Sequence, residues 1–455
     1  MVKNKKISKL DIFDSKVNGF INAIIPAIII LVPVIFSLYV LNIHGYIFPR
    51  SNLNFQLNVL YQYLFYILGA IYIYKVIVRK VVITWSDIFI FIFMFMTILS
   101  TIYASDTNIA LYGYPSRYEG MYTLLFYCFL YLDCKLLDKK TDIKFLTKSL
   151  VVVSIVHLIL VILQLTGLYE KLIFMYRSDD AIGLTENCNF LGSLMCLFSA
   201  ICSGGYLLYS KKKDYLYYLF FFIISYSTLL LANSSGPFLS FVFTFILMVI
   251  TLIIKKFVNY KKVLIVLVLM VTLYPACLYH NDTITPEIKN NLQVITKIFF
   301  KENNSSGNVT EQLDKPNSEI RKLGHGRIRI WSNVWKSIKQ KPLIGYGPDN
   351  LGLVYQISKD DFRIADKAHN IYLHIWVSSG WFAVLSYILW LCLTVYLGIK
   401  SKDKLVLILS FGVIAYSIQG IFNINVIEVT PYFYLTIGFM MFLINEKKLS
   451  FNFFS

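Results

Sequence analysis

The chain has 455 residues and a mean hydropathy of +0.62, and 57% of its residues are apolar whereas only 15% are charged. These values lie outside the range of ordinary soluble domains and indicate an integral membrane protein. The formal charge of +17 does not indicate nucleic-acid binding, because the lysines occur in blocks between apolar runs, as they do in the cytoplasmic loops of membrane proteins.

Twelve apolar runs are long enough to be membrane helices, since a hydrocarbon core about 30 Å thick needs about 20 helical residues. The predicted spans are 20–41, 59–78, 85–104, 121–137, 146–166, 188–209, 215–232, 237–254, 262–279, 369–397, 404–422 and 430–445. The first run is longer than a signal-peptide core and lacks a small-residue cleavage site, so it is expected to remain as the first membrane helix. The predicted fold class is all-α, a polytopic membrane protein of about 12 transmembrane helices.

The distribution of Lys and Arg tests this count, because these residues accumulate in cytoplasmic loops. With the N-terminus inside, the inner segments hold 25 of the 43 Lys and Arg residues, the short outer loops hold four, and the remaining 14 lie in a long loop before residue 369. Long loops cross the membrane regardless of charge. We therefore predict nine helices within 1–279, one large extracytoplasmic loop over 280–368 between helices 9 and 10, three helices within 369–455, and both termini in the cytoplasm.

The second half of the large loop is basic and contains regularly spaced aromatic residues. Between Arg321 and Lys341 there are seven Lys or Arg residues and no Asp or Glu. Trp331 and Trp335 are four residues apart, so they share one helical face with nearby Ile and Val residues. This pattern predicts a short amphipathic helix near 327–339 that lies on the bilayer with its apolar side down.

Several short sequence blocks occur in or beside the predicted outer loops. Downstream they are Gly326-Arg327 followed by Trp331, Pro342-Leu-Ile-Gly345-Tyr346-Gly347, and His369-Asn370 followed by Gly380; upstream they are Gly113-Tyr-Pro-Ser-Arg117-Tyr-Glu119-Gly120, Gly183-Leu-Thr-Glu186-Asn187-Cys-Asn189-Phe-Leu-Gly192 and Asn233-Ser-Ser-Gly236-Pro237. Together they resemble the signature regions of the bacterial O-antigen ligase and O-antigen polymerase family of membrane glycosyltransferases. The resemblance covers most of the chain, and it implies a fold of the GT-C type.

Two positions depart from the ligase pattern of that family. Ala383 stands where the ligase pattern has Gly, Thr or Tyr, and Gly236 stands where an Arg is usual. The composition is rich in Lys, Ile, Asn, Phe and Tyr, which is typical of an AT-rich bacterial genome. These features rank polymerisation of repeat units above ligation, and ligation to another acceptor, including protein, stays open.

The blocks share one position in the predicted topology, at the outer N-terminal ends of helices four, six, eight and ten. Helix N-termini carry unpaired N–H groups and partial positive charge, so together with Arg117, Arg327 and Arg329 they are expected to bind a lipid diphosphate. His369, with an ordinary pKa near 6.5, suits a catalytic base that takes a proton from a sugar hydroxyl. The expected supporting residues are Glu119, Glu186, Asn187 and Asn370.

A purely structural role competes with the functional one at each of these positions. His369 and Asn370 suit a helix N-cap, Arg327 and Arg329 suit headgroup contacts, Arg117 suits a surface ion pair, and Glu186 suits a carboxylate that complements a helix dipole. His157 lies deep in the fifth predicted helix and is expected to make an interhelical hydrogen bond rather than to act in catalysis.

The expected function is that of an outer-face glycosyltransferase in the bacterial cell (inner) membrane. It moves a polyprenyl-diphosphate-linked glycan onto a glycan acceptor, in contact with membrane lipid. No Asp, Glu and His residues have metal-ligand spacing, and the resemblance implies metal-independent transfer, so neither a metal nor a cofactor is expected.

Two further functions are weighed against this one. The first is a polysaccharide transporter or a lipid-linked-glycan flippase, but transporters place ionisable residues near the membrane midplane, whereas here they gather at one face. The second is a peptidoglycan polymerase of the shape-and-division type, which would use an acidic residue of the outer loops, for which Asp349 and Asp366 are available. The Gly-Arg and His-Asn blocks do not match that class.

Overall fold

The structure is a computed structural model that describes residues 9–40, 51–79, 81, 83–115, 117–137, 143–168, 181–185, 187–279, 281–301, 324, 326–357, 365–444 and 450–451. Most of these residues are helical, in agreement with the predicted all-α class. The helices are α1 (Lys9–Val40), α2 (Ser51–Arg79), α3 (Trp85–Ile102), α4 (Thr107–Tyr112), α5 (Met121–Cys134), α6 (Ile143–Leu165), α7 (Cys188–Leu208), α8 (Lys212–Leu231), α9 (Ser235–Ile254), α10 (Tyr260–Leu278), α11 (Ile284–Lys301), α12 (Arg327–Gln340), α13 (Leu351–Ile357), α14 (Ile371–Ser379), α15 (Trp381–Lys400), α16 (Lys404–Gln419) and α17 (Thr430–Leu443). Two short strands, β1 (Ile83–Thr84) and β2 (Ser450–Phe451), form an antiparallel pair.

Each of the twelve predicted runs overlaps at least one of these helices. Among the described residues, seven helices are long and apolar enough to cross a membrane, namely α2 from Phe55, α3, α7, α8, α9, α10 and α15. Shorter apolar helical stretches occur in α5, α6, α16 and α17. The chain is therefore a polytopic membrane protein, and the count of twelve crossings stays a prediction.

The predicted run 369–397 is divided into two helices, which corrects the sequence analysis. α14 ends at Ser379 and α15 begins at Trp381, because Gly380 has a φ of 86° and a ψ of 178°. A Cβ atom at Gly380 would lie 1.9 Å from the carbonyl oxygen of Leu343, so backbone occupies the space that a side chain would need. Mean hydropathy does not reveal this break, because the run as a whole stays apolar in spite of Ser378 and Ser379.

α7 is the buried centre of the bundle, and its whole apolar stretch lies inside the protein. It packs against α8, α9 and α16. Small residues permit these close approaches. A Cβ atom at Gly205 would lie 2.3 Å from the ring of Tyr218, and one at Gly412 would lie 2.6 Å from the side chain of Ile201. A helix that is apolar on all sides is expected to occupy such a position.

The ends of the helices and the segments that connect them make contacts at two opposite ends of the bundle. At one end, Lys75 near the C-terminus of α2 binds Asp14 near the start of α1, and β2 near the C-terminus of the chain pairs with β1 just before α3. We call this the lysine-rich end. At the other end, Asn58 in the early part of α2 donates a hydrogen bond to the carbonyl of Tyr118, which precedes α5. We call this the site end, since it contains the residues described next.

Candidate functional site

Three segments meet at the site end and are held together by one buried ammonium group. They are the first loop (113–120, between α4 and α5), the second loop (341–350, between α12 and α13) and the third loop (365–370, before α14). Lys367 of the third loop binds Glu119 of the first loop, with 3.0 Å between Nζ and Oε2, and also binds Asp349 of the second loop. All three side chains are 3% exposed or less. We call these three residues the buried ion network.

The buried ion network is completed by further hydrogen bonds to its carboxylates. Oδ2 of Asp349 accepts hydrogen bonds from the backbone N–H groups of Tyr114 (3.0 Å) and Glu119 (3.1 Å). The hydroxyl of Tyr127 donates to Oε1 of Glu119 at 3.1 Å. The first loop is therefore held by the second loop as well as by the third.

The pKa values of the network follow from burial and from the ion pairs. Burial opposes ionisation of Asp349, but Lys367 and His374 outweigh it and hold the pKa of that carboxyl well below its usual range. Burial likewise opposes the charge of Lys367, yet the two carboxylates raise its pKa. Burial raises the pKa of Glu119, and Lys367 counteracts this only in part. Asp349 and Lys367 are therefore ionised, and the network depends on a charge that burial alone would remove.

Each of the three loops contains one non-glycine residue in the left-handed backbone region. These residues are Tyr118 (φ 54°), Asp349 (φ 57°) and His369 (φ 47°). Such a conformation is uncommon for residues with a Cβ atom and persists only where the surrounding structure imposes it. The contacts of the buried ion network, which lie at or within two residues of each of them, provide that constraint.

The second loop closes the C-terminal end of α14. The N–H groups of Tyr346 and Gly347 donate to the carbonyls of Val377 and Ser378, both at 2.9 Å, and thereby satisfy oxygens that a helix end leaves unpaired. Gly345 has a φ of 78°, and its Cβ atom would lie 2.4 Å from the Ser378 carbonyl oxygen. The Pro342–Gly347 block is therefore explained as the segment that packs against the break in the membrane run.

Arg117 lies in the first loop and contacts the third. Its Nε atom is 2.5 Å from Oδ2 of Asp366, and both side chains are about one quarter exposed. The guanidinium also lies 5.9 Å from the ring centroid of Phe190 in α7. Burial opposes ionisation of Asp366, but Arg117 outweighs it and lowers the pKa of that carboxyl. The ion pair considered for Arg117 in the sequence analysis is thus present, with Asp366 as the partner.

His369 is a partly buried residue at the end of the third loop. Burial, together with the charges of Arg327 and Arg117, lowers its pKa to about 4, and Asp366 opposes this effect. The imidazole is therefore neutral near pH 7. Arg117 and Arg327, which are far from His369 in the sequence, are therefore within electrostatic range of it in the structure.

Arg327 is the first residue of α12, and its charge acts on His369. Its Nη1 donates to the carbonyl of Gly324 at 3.3 Å, and within the described residues it makes no ion pair with a carboxylate. Burial lowers its pKa, and Glu287 opposes this effect. Arg329, two residues further along, lies on nearly the opposite face of α12, since two residues correspond to about 200° around a helix.

The remaining predicted site residues have structural roles or lie outside the described part of the chain. Asn370 is the N-cap of α14, with Oδ1 accepting from the N–H of Leu373 at 3.0 Å. Asn187 is the N-cap of α7 and accepts from the N–H of Asn189 at 2.8 Å. Glu119 belongs to the buried ion network. Glu186 lies outside the described residues. The helix cap is therefore supplied by Asn370 and not by His369.

Four charged or polar residues of this site have no role in the glycosyltransferase site predicted from the sequence. They are Asp349, Asp366, Lys367 and His374, whose Nε2 lies 3.8 Å from Asp349. The available signal was their position, because each is within five residues of a recognised block. Among the described residues, no group of three or more His, Cys, Asp and Glu side chains is placed to hold a metal ion. Metal-independent transfer stays a prediction.

Part of the chain matches a known protein family. Residues 220–388 match the model of a protein family described as O-antigen ligase. This confirms the resemblance to the O-antigen ligase family. The matched residues include Arg327, His369 and Gly380, whereas Arg117 and the first loop lie outside them.

Two relatives of the chain come from Acinetobacter baylyi (strain ATCC 33305 / BD413 / ADP1). A ComP-specific O-oligosaccharyltransferase is 27% identical over 132 residues, which are 28% of this chain and 24% of that protein. A general O-oligosaccharyltransferase is 29% identical over 131 residues, which are 27% of this chain and 22% of that protein. The matches thus span about a quarter of the length of each curated relative.

Proposed function

We propose that this chain is a membrane glycosyltransferase that moves a glycan from a polyprenyl diphosphate onto an acceptor hydroxyl. The observation that carries the proposal is that the charges of Arg117 and Arg327, from two distant segments, both act on His369. The match to the O-antigen ligase family and the two oligosaccharyltransferase relatives support transfer of a glycan to an acceptor.

In the proposed reaction the acceptor oxygen attacks the anomeric carbon of the donor's first sugar. A new glycosidic C–O bond forms while the C–O bond to the diphosphate breaks, and the electron pair of that bond leaves with the polyprenyl diphosphate. Neutral His369 takes the proton of the acceptor hydroxyl. Arg327 and Arg117 stabilise the charge that accumulates on the leaving diphosphate, so the proposed step needs no metal ion.

The two arginines have different roles in this proposal. Arg327 sits in a poorly hydrated position and, within the described residues, has only a neutral carbonyl as its hydrogen-bond acceptor, so an anionic ligand improves its surroundings. Arg117 is already held by Asp366, and the donor must compete with that carboxylate for it. Arg327 is therefore the first contact of the diphosphate, and Arg117 is the second.

Donor binding also changes the basicity of His369. In the unliganded site both arginine charges disfavour the imidazolium form. An anionic diphosphate on Arg327 and Arg117 offsets those charges, so the pKa of His369 rises when the donor is bound. The histidine thus becomes a stronger base at the moment when an activated sugar is present.

We also propose an orientation for the chain. The site end faces the outside of the bacterial cell membrane, both termini face the cytoplasm, twelve helices cross the bilayer, and residues 280–368 are outside. The support is the excess of Lys and Arg in the segments assigned to the inside. A polyprenyl-linked glycan that has already crossed the membrane would then reach the site.

The acceptor is a hydroxyl-bearing molecule in this proposal. The names of the two relatives describe O-linked transfer of an oligosaccharide, and the matched family is described as a ligase. Both favour transfer to a separate acceptor over extension of the donor's own glycan. The polymerase preference that follows from Ala383 and Gly236 stays a prediction.

Replacing His369 by asparagine tests the catalytic assignment. Asparagine tolerates a left-handed backbone better than most residues, and the cap of α14 belongs to Asn370, so the fold should be kept while the base is lost. We expect transfer of lipid-linked glycan to decrease by about 10²–10⁴-fold per folded molecule in His369→Asn.

The measurement is glycan product per folded molecule, alongside flipping of the lipid-linked unit. Full product from His369→Asn would contradict the role of the base. A variant that keeps transfer and loses flipping would instead favour the transporter function.

A further inference from the structure

A cavity lies at the lysine-rich end of the bundle, away from the candidate site. It has a volume of about 680 Å³ and is bounded by α7, α8, α10 and α16. Its lining includes the basic residues Lys256, Lys262 and Lys404. It also includes apolar residues, among them Leu216 and Ile265, which are 43% and 44% exposed. The cavity therefore combines basic and apolar lining residues.

The ammonium group of Lys262 is fixed in the cavity wall. Its Nζ donates to the carbonyls of Tyr206 (2.8 Å) and Tyr209 (2.5 Å) at the end of α7. It also lies 4.3 Å from the ring centroid of Tyr215 and 5.2 Å from that of Tyr206. These contacts satisfy its hydrogen bonds but leave its charge without a carboxylate partner in the described residues.

Lys256 occupies a position where glycine is the usual residue. It follows the C-terminus of α9 with a φ of 58°, and the N–H of Phe257 donates to the carbonyl of Leu252 at 2.8 Å, as in a Schellman motif. A side chain at such a position strains the backbone. The side chain is exposed and makes no ion pair within the described residues. Local structure therefore gives no reason for a lysine here.

The N-terminal ends of α10 and α16 add to the positive potential of the cavity, whereas the C-terminal ends of α7 and α9, which also border it, oppose this effect. Lys262 and Lys404 lie in the first turns of α10 and α16, where the helix dipole disfavours a cation. The carboxylates nearby are Asp403, which caps α16, and Asp214 in the first turn of α8. Segments 209–215, 254–262 and 400–404 together contain ten lysines and these two aspartates, so the charge around the cavity is strongly positive.

We propose that this cavity binds an anionic phospholipid, with the headgroup phosphate on Lys256 and Lys404 and an acyl chain along Leu216 and Ile265. Basic pockets between membrane helices suit acidic lipid headgroups. The apolar lining residues are the reason to choose a lipid over free phosphate, because a phosphate ion gains nothing from contact with them. The site is separate from the proposed transfer site, and it does not depend on that function.

The test uses the purified full-length protein in phosphatidylcholine nanodiscs with increasing phosphatidylglycerol. The readouts are the midpoint of thermal unfolding and the lipid retained in native mass spectrometry. Phosphatidylglycerol should raise the midpoint and remain bound. The apparent affinity should be about fivefold weaker in Lys256→Gly and in Lys404→Gln, since each lysine near a membrane surface contributes about that factor.

Lys256→Gly is the sharpest variant, because glycine suits the left-handed position and the fold should be unchanged or more stable without lipid. Lys402→Gln is the matched control, since this lysine is exposed and close to Lys404 but does not line the cavity. Three results would overturn the proposal: equal stabilisation by phosphatidylcholine alone, the same stabilisation by inorganic phosphate, or an equal loss of affinity in Lys402→Gln.

Discussion

The buried ion network at the site end and the basic cavity at the lysine-rich end use charge in opposite ways. At the site end, Lys367 is buried between two carboxylates, and its charge holds three loops in place. At the lysine-rich end, Lys256 and Lys404 are exposed, and within the described residues neither has an ion-pair partner. A buried, paired charge fixes geometry and is costly to remove, whereas an exposed, unpaired charge is available to a ligand. Arg327 is the exception at the site end, because it is largely buried and without an ion pair within the described residues, and this makes it the expected anion contact.

The largest expected effect follows from removing the paired charge. In Lys367→Met, two buried carboxylates lose their shared counter-ion, so the free energy of unfolding should decrease by about 3–5 kcal/mol. Thermal or denaturant unfolding of the purified protein measures this. The matched control is Asp366→Asn, which breaks the partly exposed pair with Arg117 and should cost at most about 1 kcal/mol.

A second substitution sharpens the same comparison. Lys367→Met leaves two buried carboxylates without their ammonium partner. Adding Glu119→Gln removes one of these two charges, so part of the lost stability should return. Equal stability of Lys367→Met and Asp366→Asn would show that the buried ion network does not differ from a surface pair.

The next largest effect is expected from removing the charge of Arg327, which makes no ion pair within the described residues. Losing one charge-assisted contact to the diphosphate should cost about 1.5–3 kcal/mol, so Arg327→Gln should reduce glycan transfer by roughly ten- to hundredfold. Arg329→Gln removes the same charge from the opposite face of α12 and should have a smaller effect. Initial rates at subsaturating donor give the comparison. An equal loss in both variants would mean that α12 contributes only general positive charge.

The smallest effect is a difference between two pH profiles. His369 has a pKa of about 4 in the unliganded site, and its neutral form is the active base, so kcat/KM should fall only as the pH decreases toward that value. With the donor bound, the anion offsets the arginine charges and the pKa is higher, so kcat should begin to fall at a higher pH. If kcat and kcat/KM began to fall at the same acidic pH, the coupling between the arginines and His369 would be contradicted.

The sequence predicted the helices well, because apolar runs of membrane length are a strong signal. It missed the break at Gly380, because the close approach of the Leu343 backbone, which leaves no room for a side chain there, is not visible in local hydropathy. The pKa expected for His369 was the ordinary one, because the burial and the arginine charges that lower it arise only when distant segments meet.

The candidate site was predicted in part. His369, Arg327 and Arg117 were predicted from their blocks, and the charges of both arginines act on His369 in the structure. Their roles in transfer stay predictions. The buried ion pairs of Lys367 and Asp349 were not predicted, because charged residues in a polar loop are expected to be solvent-exposed. The burial of Lys367 depends on Glu119, which lies 248 residues away in the sequence. The two asparagines before α7 and α14 were correctly placed at helix starts, but they act there as caps.

The long separation between Glu119 and Lys367 has a consequence for biogenesis. Synthesis adds about 5–20 residues per second, so the 248 residues between them take on the order of 10–50 s to appear. During that interval Glu119 has no ammonium partner from the third loop, and a bare carboxylate is poorly tolerated away from water. We therefore expect Glu119 to remain hydrated or protonated while the central helices insert, and the first loop to be fixed only when the third loop and α14 arrive. Assembly of the site is thus one of the last steps in making this protein.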